Sequence, residues 1–187
     1  MNEEQKKMRP LPTGLVQDNI WAINNLFVNF FILKKGEHLV AIDTGANPEL
    51  SVTEMGSLGF TPDQINTVLL THSHGDHTAL LSQFTNATVY AFNSHTQVAH
   101  GDKLSIAGMG VEVIHTPGHK SDHVGFLVDG GIYFAGDMMS VTDEGKVGLF
   151  NEVYNEDSAQ QAKDIEAVLA RTDIKTVITA HYGILHR

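Results

Sequence analysis

Thr71-His72-Ser73-His74-Gly75-Asp76-His77 places three histidines and an aspartate in positions 72–77. Extended backbone sends alternate side chains the same way, so His72 and His74 share a direction. Asp76 follows where a helix N-cap is expected, and Asp76 and His77 then diverge as adjacent helical residues. One loop can therefore present ligands to two centres a few ångströms apart. Four ligands cannot complete two centres, so the fold must deliver others from distant parts of the chain.

Three candidates follow apolar segments. His119 ends Thr116-Pro117-Gly118-His119, after Val111–Ile114. Asp137 ends Tyr133-Phe134-Ala135-Gly136-Asp137, and His181 ends Ile178-Thr179-Ala180-His181. Each has a Gly or Ala just before it, which permits close backbone approach. Ligands at the C-terminal ends of several strands would gather at one rim of a sheet.

The rest of the chain reads as strands that alternate with helices. Ile20–Ile23, Val28–Leu33 and Leu39–Ile42 form a meander separated by polar or Gly-containing turns. Asn47-Pro48-Glu49 caps a helix that runs to Leu58 and ends at Gly59. Thr61-Pro62-Asp63-Gln64 opens a single turn, Val68–Leu70 is a short strand, and Ala79, Leu80, Leu81 and Phe84 give the next helix an apolar face. Thr88–Phe92, Val111–Ile114, His123–Val128, Gly131–Ala135 and Thr176–Thr179 complete the strands. Asp157–Arg171 is the clearest helix, with a Ser158/Gln161 capping box and a stripe of Ala159, Ala162, Ile165, Val168 and Leu169. The nearly all-polar Met1–Arg9 is the one segment with the composition of a disordered tail. No linker divides the chain, so a single domain spanning 1–187 is expected.

The HxHxDH run, followed by His, Asp and His in that order, resembles the metallo-β-lactamase superfamily. The likeness runs from Asp43 to His181. It implies an α/β fold, an αββα sandwich of two mixed β-sheets with helices on the outer faces and the site at one edge. It implies that His72, His74 and His119 bind one metal, that Asp76, His77 and His181 bind a second, and that Asp137 bridges them. Asp43 matches the family's acidic residue at the end of the third strand and would support the ligand loop from behind; a plain turn-starting aspartate before Gly45 is an equal alternative. His123 lies four residues after His119, as a histidine often does in thioesterase-like and lactonase-like members, and is read as a supporting or strand residue rather than a ligand. Tyr182 is expected to be packed, and His38, His95, His100, His115 and His186 to be structural or at the surface.

Two divalent cations sharing a water would lower its pKa towards ~7 and supply hydroxide at neutral pH. Asp76 would hold that hydroxide or relay its proton. Zinc is the default for hydrolysis, and iron and manganese also suit an all-N/O set with a bridging carboxylate.

Composition narrows the substrate. Lys plus Arg is 12 against 22 Asp plus Glu, a formal charge of −10, which argues against a nucleic-acid partner. There is no cysteine, which excludes thiolate metal sites and the β-lactamase branch with a Cys ligand. MNEEQKKMRP has no apolar core, so neither a secretory signal nor a membrane association is expected, and the location reads as cytoplasmic. A chain of 187 residues leaves no room for the inserted domain of nucleic-acid-cutting members, and only six residues follow His181 where glyoxalase II has a helical region. A small-molecule ester, thioester or lactone is therefore the expected substrate, with a thioester of the glyoxalase II kind first. No motif marks the residues that contact it. The alternatives are a mononuclear iron sulfur dioxygenase on the same fold and a non-catalytic metal-binding module. A homodimer is compatible with exposed sheet edges.

Overall fold

A computed structural model describes residues 1–187. The first sheet takes its strands in chain order: β1 (Gly14–Gln17), β2 (Ile20–Asn25), β3 (Val28–Lys35), β4 (His38–Ile42), β5 (Thr67–Leu69), β6 (Thr88–Ala91) and β7 (Thr96–Gln97). β1 to β4 pair antiparallel and β4 to β7 pair parallel. The parallel pairs need crossovers, and helices α1 (Pro48–Ser57) and α2 (Gly75–Thr78) lie within them. The second half adds β8 (Lys103–Ile106), β9 (Met109–His115), β10 (Val124–Val128) and β11 (Ile132–Gly136), then a separate hairpin of β12 (Met139–Val141) and β13 (Val147–Leu149). Helix α3 (Ser158–Ala170) leads into β14 (Thr176–Thr179) and β15 (Ile184–His186). The second sheet runs β15-β14-β11-β10-β9-β8, with β11 and β14 parallel and its other pairs antiparallel.

The two-residue period of β3 decides the layering. Phe31 and Leu33 enter a core shared with Val113, Phe126, Phe134 and Ile178 of the second sheet. Phe30 and Ile32 face the other way, onto Met55 of α1 and onto Phe60, Leu80 and Phe84. The second sheet does the same: Leu127, Tyr133 and Val177 point outward onto Ile165 and Val168 of α3. This is an αββα sandwich of two mixed sheets, as the sequence implied.

Five local expectations need correction. The stretch after the histidine-rich loop is not one helix; α2 is a single turn with His74, not Asp76, at its N-cap, and a separate 3-10 turn covers Leu81–Gln83. Asp76 instead sits in the first turn and faces the cluster described below. α3 is capped by Asp157, whose side chain accepts from the Gln160 amide, so no Ser158/Gln161 capping box forms. Its buried face is Gln161, Asp164, Ile165 and Val168, whereas Ala159 and Ala162 are exposed. Met1–Arg9 is not a free tail: Gln5–Lys7 form a 3-10 turn, Met8 is buried, and the Arg9 amide donates to the His181 carbonyl at 2.8 Å.

Candidate metal centre

Each candidate ligand follows a strand end. His72 comes after β5, His119 after β9, Asp137 directly after β11 and His181 after β14. These ends converge on one edge of the sandwich. Ligand-type atoms of His72, His74, His119 and Asp137 lie within 4.8 Å of one another, and so do those of Asp76, His77 and His181. Asp137 faces both groups. Its Oδ1 is 3.1 Å from His181 Nε2 and 3.3 Å from His77 Nε2, while its Oδ2 is 3.4 Å from His119 Nε2 and 3.8 Å from His72 Nε2. Asp76 Oδ2 lies 3.6 Å from His181 Nε2 and 3.8 Å from His77 Nε2. All seven residues singled out in the sequence are brought together.

Hydrogen bonds made by the far ring atoms fix which nitrogen faces the cluster. Asp43 Oδ2 accepts hydrogen bonds from His77 Nδ1 at 2.8 Å and from the Thr71 hydroxyl at 2.8 Å, and Asp43 Oδ1 accepts from the Thr71 amide at 2.8 Å. Thr71 Oγ1 lies 3.0 Å from His72 Nδ1 and accepts from it. His181 Nδ1 donates to the Phe27 carbonyl at 2.7 Å, and His119 Nδ1 to Asn155 Oδ1 at 3.0 Å. With the far nitrogens so engaged, Nε2 of His72, His77, His119 and His181 is the ring atom left to face the centre. His74 turns its Nδ1 inward, 3.0 Å from His72 Nε2 and 3.1 Å from His119 Nε2. Lone pairs so close repel one another unless an electrophile lies among them. His77 Nε2, Asp137 Oδ1 and His181 Nε2 are moreover buried with no hydrogen-bond partner. Each such atom costs about 1–3 kcal/mol if left unmatched, and a divalent cation in each group is a fitting partner for this all-N/O set.

The electrostatics agree with a site built for positive charge. Burial pushes His72 well below its usual range, helped by neighbouring His77, so its ring is a neutral donor. Burial lowers His74 in the same way, with His119 adding to it. For His77 burial opposes the charged form but is outweighed by Asp137, Asp43 and Asp76, which hold it well above its usual range. Burial would raise Asp137, yet His181 and His77 overcome it and hold the carboxyl well below the carboxylate range.

Asp43 is tied to the ligand loop by these hydrogen bonds. It is buried, it sits at φ +62°, and it serves both groups, directly to His77 and through Thr71 to His72. His123 also lies beneath the site. Its Nε2 accepts the Asp137 amide at 3.1 Å, which leaves Nδ1 to donate to Thr116 Oγ1 at 2.8 Å. Gly136 must stay small there, because a Cβ would come within 2.7 Å of His123 Nε2. Tyr182 is half-buried and packs edge-on against Phe150.

Sequence reasoning missed the amides behind His119. Asn155 and Gln161 exchange hydrogen bonds of 2.8 and 3.0 Å, and Gln161 also donates to the Asp137 carbonyl at 3.3 Å. Gly118 lets α3 come this close, since a Cβ there would meet Gln161 N at 2.1 Å; its amide donates to Asp164 at 3.0 Å. The available signal was a Gln and an Asp one turn apart on a helix whose apolar stripe is short. A cavity of about 260 Å³ opens over the centre and is lined by His74, Asp76, His119 and Asp137 together with Met8, Phe27 and Phe150.

Comparison with known proteins agrees with this geometry. Residues 23–96 match the model of the metallo-beta-lactamase superfamily. The chain is 28% identical over 172 residues to a hydroxyacylglutathione hydrolase of Aeromonas hydrophila, an alignment that covers 86% of this chain and 62% of that protein. It is 32% identical over 112 residues to an atrochrysone carboxyl ACP thioesterase of Aspergillus fumigatus, covering 54% and 26% respectively. The chain thus spans less than two thirds of either relative. A metallo-beta-lactamase family protein of Thermus thermophilus superposes with a TM-score of 0.73 at 19% identity, over 90% of this chain and 75% of that one, which shows the shared fold. The matched family model, the common fold and the converging histidines and aspartates together make the chain similar to the metallo-β-lactamase superfamily.

Proposed function

We propose that the chain is a metal-dependent hydrolase of small-molecule thioesters, with esters and lactones as related substrates. His72, His74 and His119 would hold one divalent cation, and Asp76, His77 and His181 a second. Asp137 would bridge them. Zinc suits this ligand set, and iron and manganese remain compatible. The observation that carries the proposal is the pair of ligand groups with Asp137 between them, one carboxylate oxygen turned to each. The relatives named for hydroxyacylglutathione hydrolysis and for ACP thioesterase activity favour a thioester over the other carbonyl substrates. The whole of 1–187 is proposed to act as one domain.

When bound, the cations supply Lewis acidity towards a carbonyl oxygen and a water that ionises near neutral pH. The protein's own part is orientation and proton handling. Asp43, Asn155 and the Phe27 carbonyl keep the far ring protons of His77, His119 and His181 in place, so that each Nε2 points inward. The Asp76 side chain is 24% exposed and lines the cavity, where its carboxylate can orient the attacking water and take up its proton. Phe150 and Met8 exclude bulk water from one side, which strengthens charge interactions within the site.

The test is a screen of thioesters, esters, lactones and phosphodiesters with zinc-loaded protein. Thioester cleavage is expected, with His72→Ala reducing kcat/KM by at least about a hundred-fold. A folded, fully metallated His72→Ala protein with undiminished turnover would refute the assignment.

A further inference from the structure

The amino-terminal segment was expected to be a tail, yet it forms a wall of the cavity over the metal centre. Met8 is buried at 8% exposure and lines that cavity, as does Gln5. The segment is fastened from several directions. The Arg9 amide donates to the His181 carbonyl at 2.8 Å, Asn151 Nδ2 donates to Glu4 Oε2 at 2.7 Å, and Asn2 Nδ2 donates to the Tyr154 hydroxyl at 3.0 Å. Arg9 also reaches the Val141 carbonyl at 2.8 Å. These bonds tie the segment to the residues that flank Phe150 and to the strand end that bears His181. Phe27 lies opposite, stacked on the His181 ring at a centroid distance of 6.0 Å. Phe150 packs edge-on against His119 at 4.9 Å. Three apolar side chains from three separate parts of the chain therefore surround the space next to the ligands.

We infer that this space is an acyl pocket, walled by Met8, Phe27 and Phe150, that selects uncharged apolar or aromatic acyl groups. The inference rests on the thioester reading and adds a substrate class to it. The whole cavity over the centre measures about 260 Å³, more than the ~150 Å³ that suffices for benzene, so a phenylacyl or branched alkyl group fits on its apolar side. No Lys or Arg lines it, and its acids Asp76 and Asp137 are those proposed to hold the cations, so the Met8, Phe27 and Phe150 side offers no charged group of its own. A distal carboxylate on the acyl group would lose its hydration against Met8 and Phe27 and gain no cationic partner. An apolar group instead gains from burial in proportion to its area. Met8 sets the depth of the pocket, so the amino-terminal segment is a specificity determinant and not a solvated appendage.

The experiment uses the full, zinc-loaded chain with acetyl, butyryl, phenylacetyl and succinyl thioesters of N-acetylcysteamine. Butyryl and phenylacetyl thioesters should exceed the acetyl one in kcat/KM by about ten-fold or more, and the succinyl thioester should fall at least about ten-fold below butyryl. Met8→Trp should lower the phenylacetyl-to-acetyl ratio by about ten-fold, and Met8→Ala should shift the optimum to a longer acyl chain. A succinyl thioester cleaved as well as butyryl, or ratios untouched by both Met8 variants, overturns the pocket. If no thioester is cleaved, the hydrolase reading fails and calorimetry with the free acids decides the pocket on its own. Tighter binding of phenylacetate than succinate, weakened by Met8→Trp, supports it; equal binding of the two acids overturns it.

Discussion

The Asp43 carboxylate accepts from the Thr71 amide, the Thr71 hydroxyl and His77 Nδ1, while its backbone is held in the left-handed region at φ +62°. That conformation costs energy for a residue with a Cβ and is tolerated best by Asp and Asn. Asp43→Asn keeps the size but removes the charge that fixes His77 and, through Thr71, His72. Cation affinity should fall by about 10–100-fold, read by competition with a chelator; an unchanged affinity would show that Asp43 only shapes a turn. Gln161 is a second such residue, fully buried and bonded to Asn155, the Phe150 amide and the Asp137 carbonyl. Gln161→Leu should destabilise the protein by about 1–3 kcal/mol in urea denaturation, since it leaves the buried Phe150 amide without its acceptor. The seven ligand-type residues were legible because histidines and aspartates after strand ends have few other uses. Gln161 was not, because a glutamine in the first turn of a helix ordinarily serves as a cap, and only the packing of Gly118 against α3 turns it inward.

Helix α3 is also fastened by charge to the sheet it covers. Arg171, at the end of α3, makes a two-pronged ion pair with Glu112 of β9, at 2.6 and 3.0 Å. The Arg171 hydrogen bonds hold the Glu112 carboxyl below its usual range. A carboxyl lowered in the folded state stabilises that state above its unfolded pKa of about 4.3, and the contribution is lost as pH falls through the lower folded value. Glu112→Gln should thus cost less than ~1 kcal/mol at pH 7. The gap between wild type and variant should close in acid, as followed by thermal denaturation across pH; a gap that is constant into strong acid would contradict the pairing. The helices α1 and α3 and the central strands could be read from caps, turn residues and periodicity. β7, β12, β13 and β15 could not. They have two or three residues each, too few for an alternating pattern, and tertiary pairing alone creates them. The helix expected after the ligand loop failed for a related reason: Leu80 and Phe84 do go inward, but from a one-turn helix followed by a 3-10 turn.

At the scale of the molecule, the second sheet supplies His119, Asp137 and His181 and the first supplies the histidine-rich loop and Asp43, so the site exists only where the two layers meet. No helix is long and apolar enough to cross a membrane, and the net charge of −10 disfavours a polyanionic partner. The layering was legible from strands that end in ligands. The role of Met1–Arg9 was not, because its polar composition hides one buried methionine and a set of backbone and side-chain hydrogen bonds. Asp137 alone turns an oxygen to each ligand group, so it is where a dinuclear centre stands or falls. Elemental analysis of zinc-saturated wild type and Asp137→Ala, both checked for native circular dichroism, measures this. About two cations per chain are predicted for the wild type, and one or fewer for the variant. A wild type that saturates at one cation, or a variant that keeps both, would contradict the paired centre.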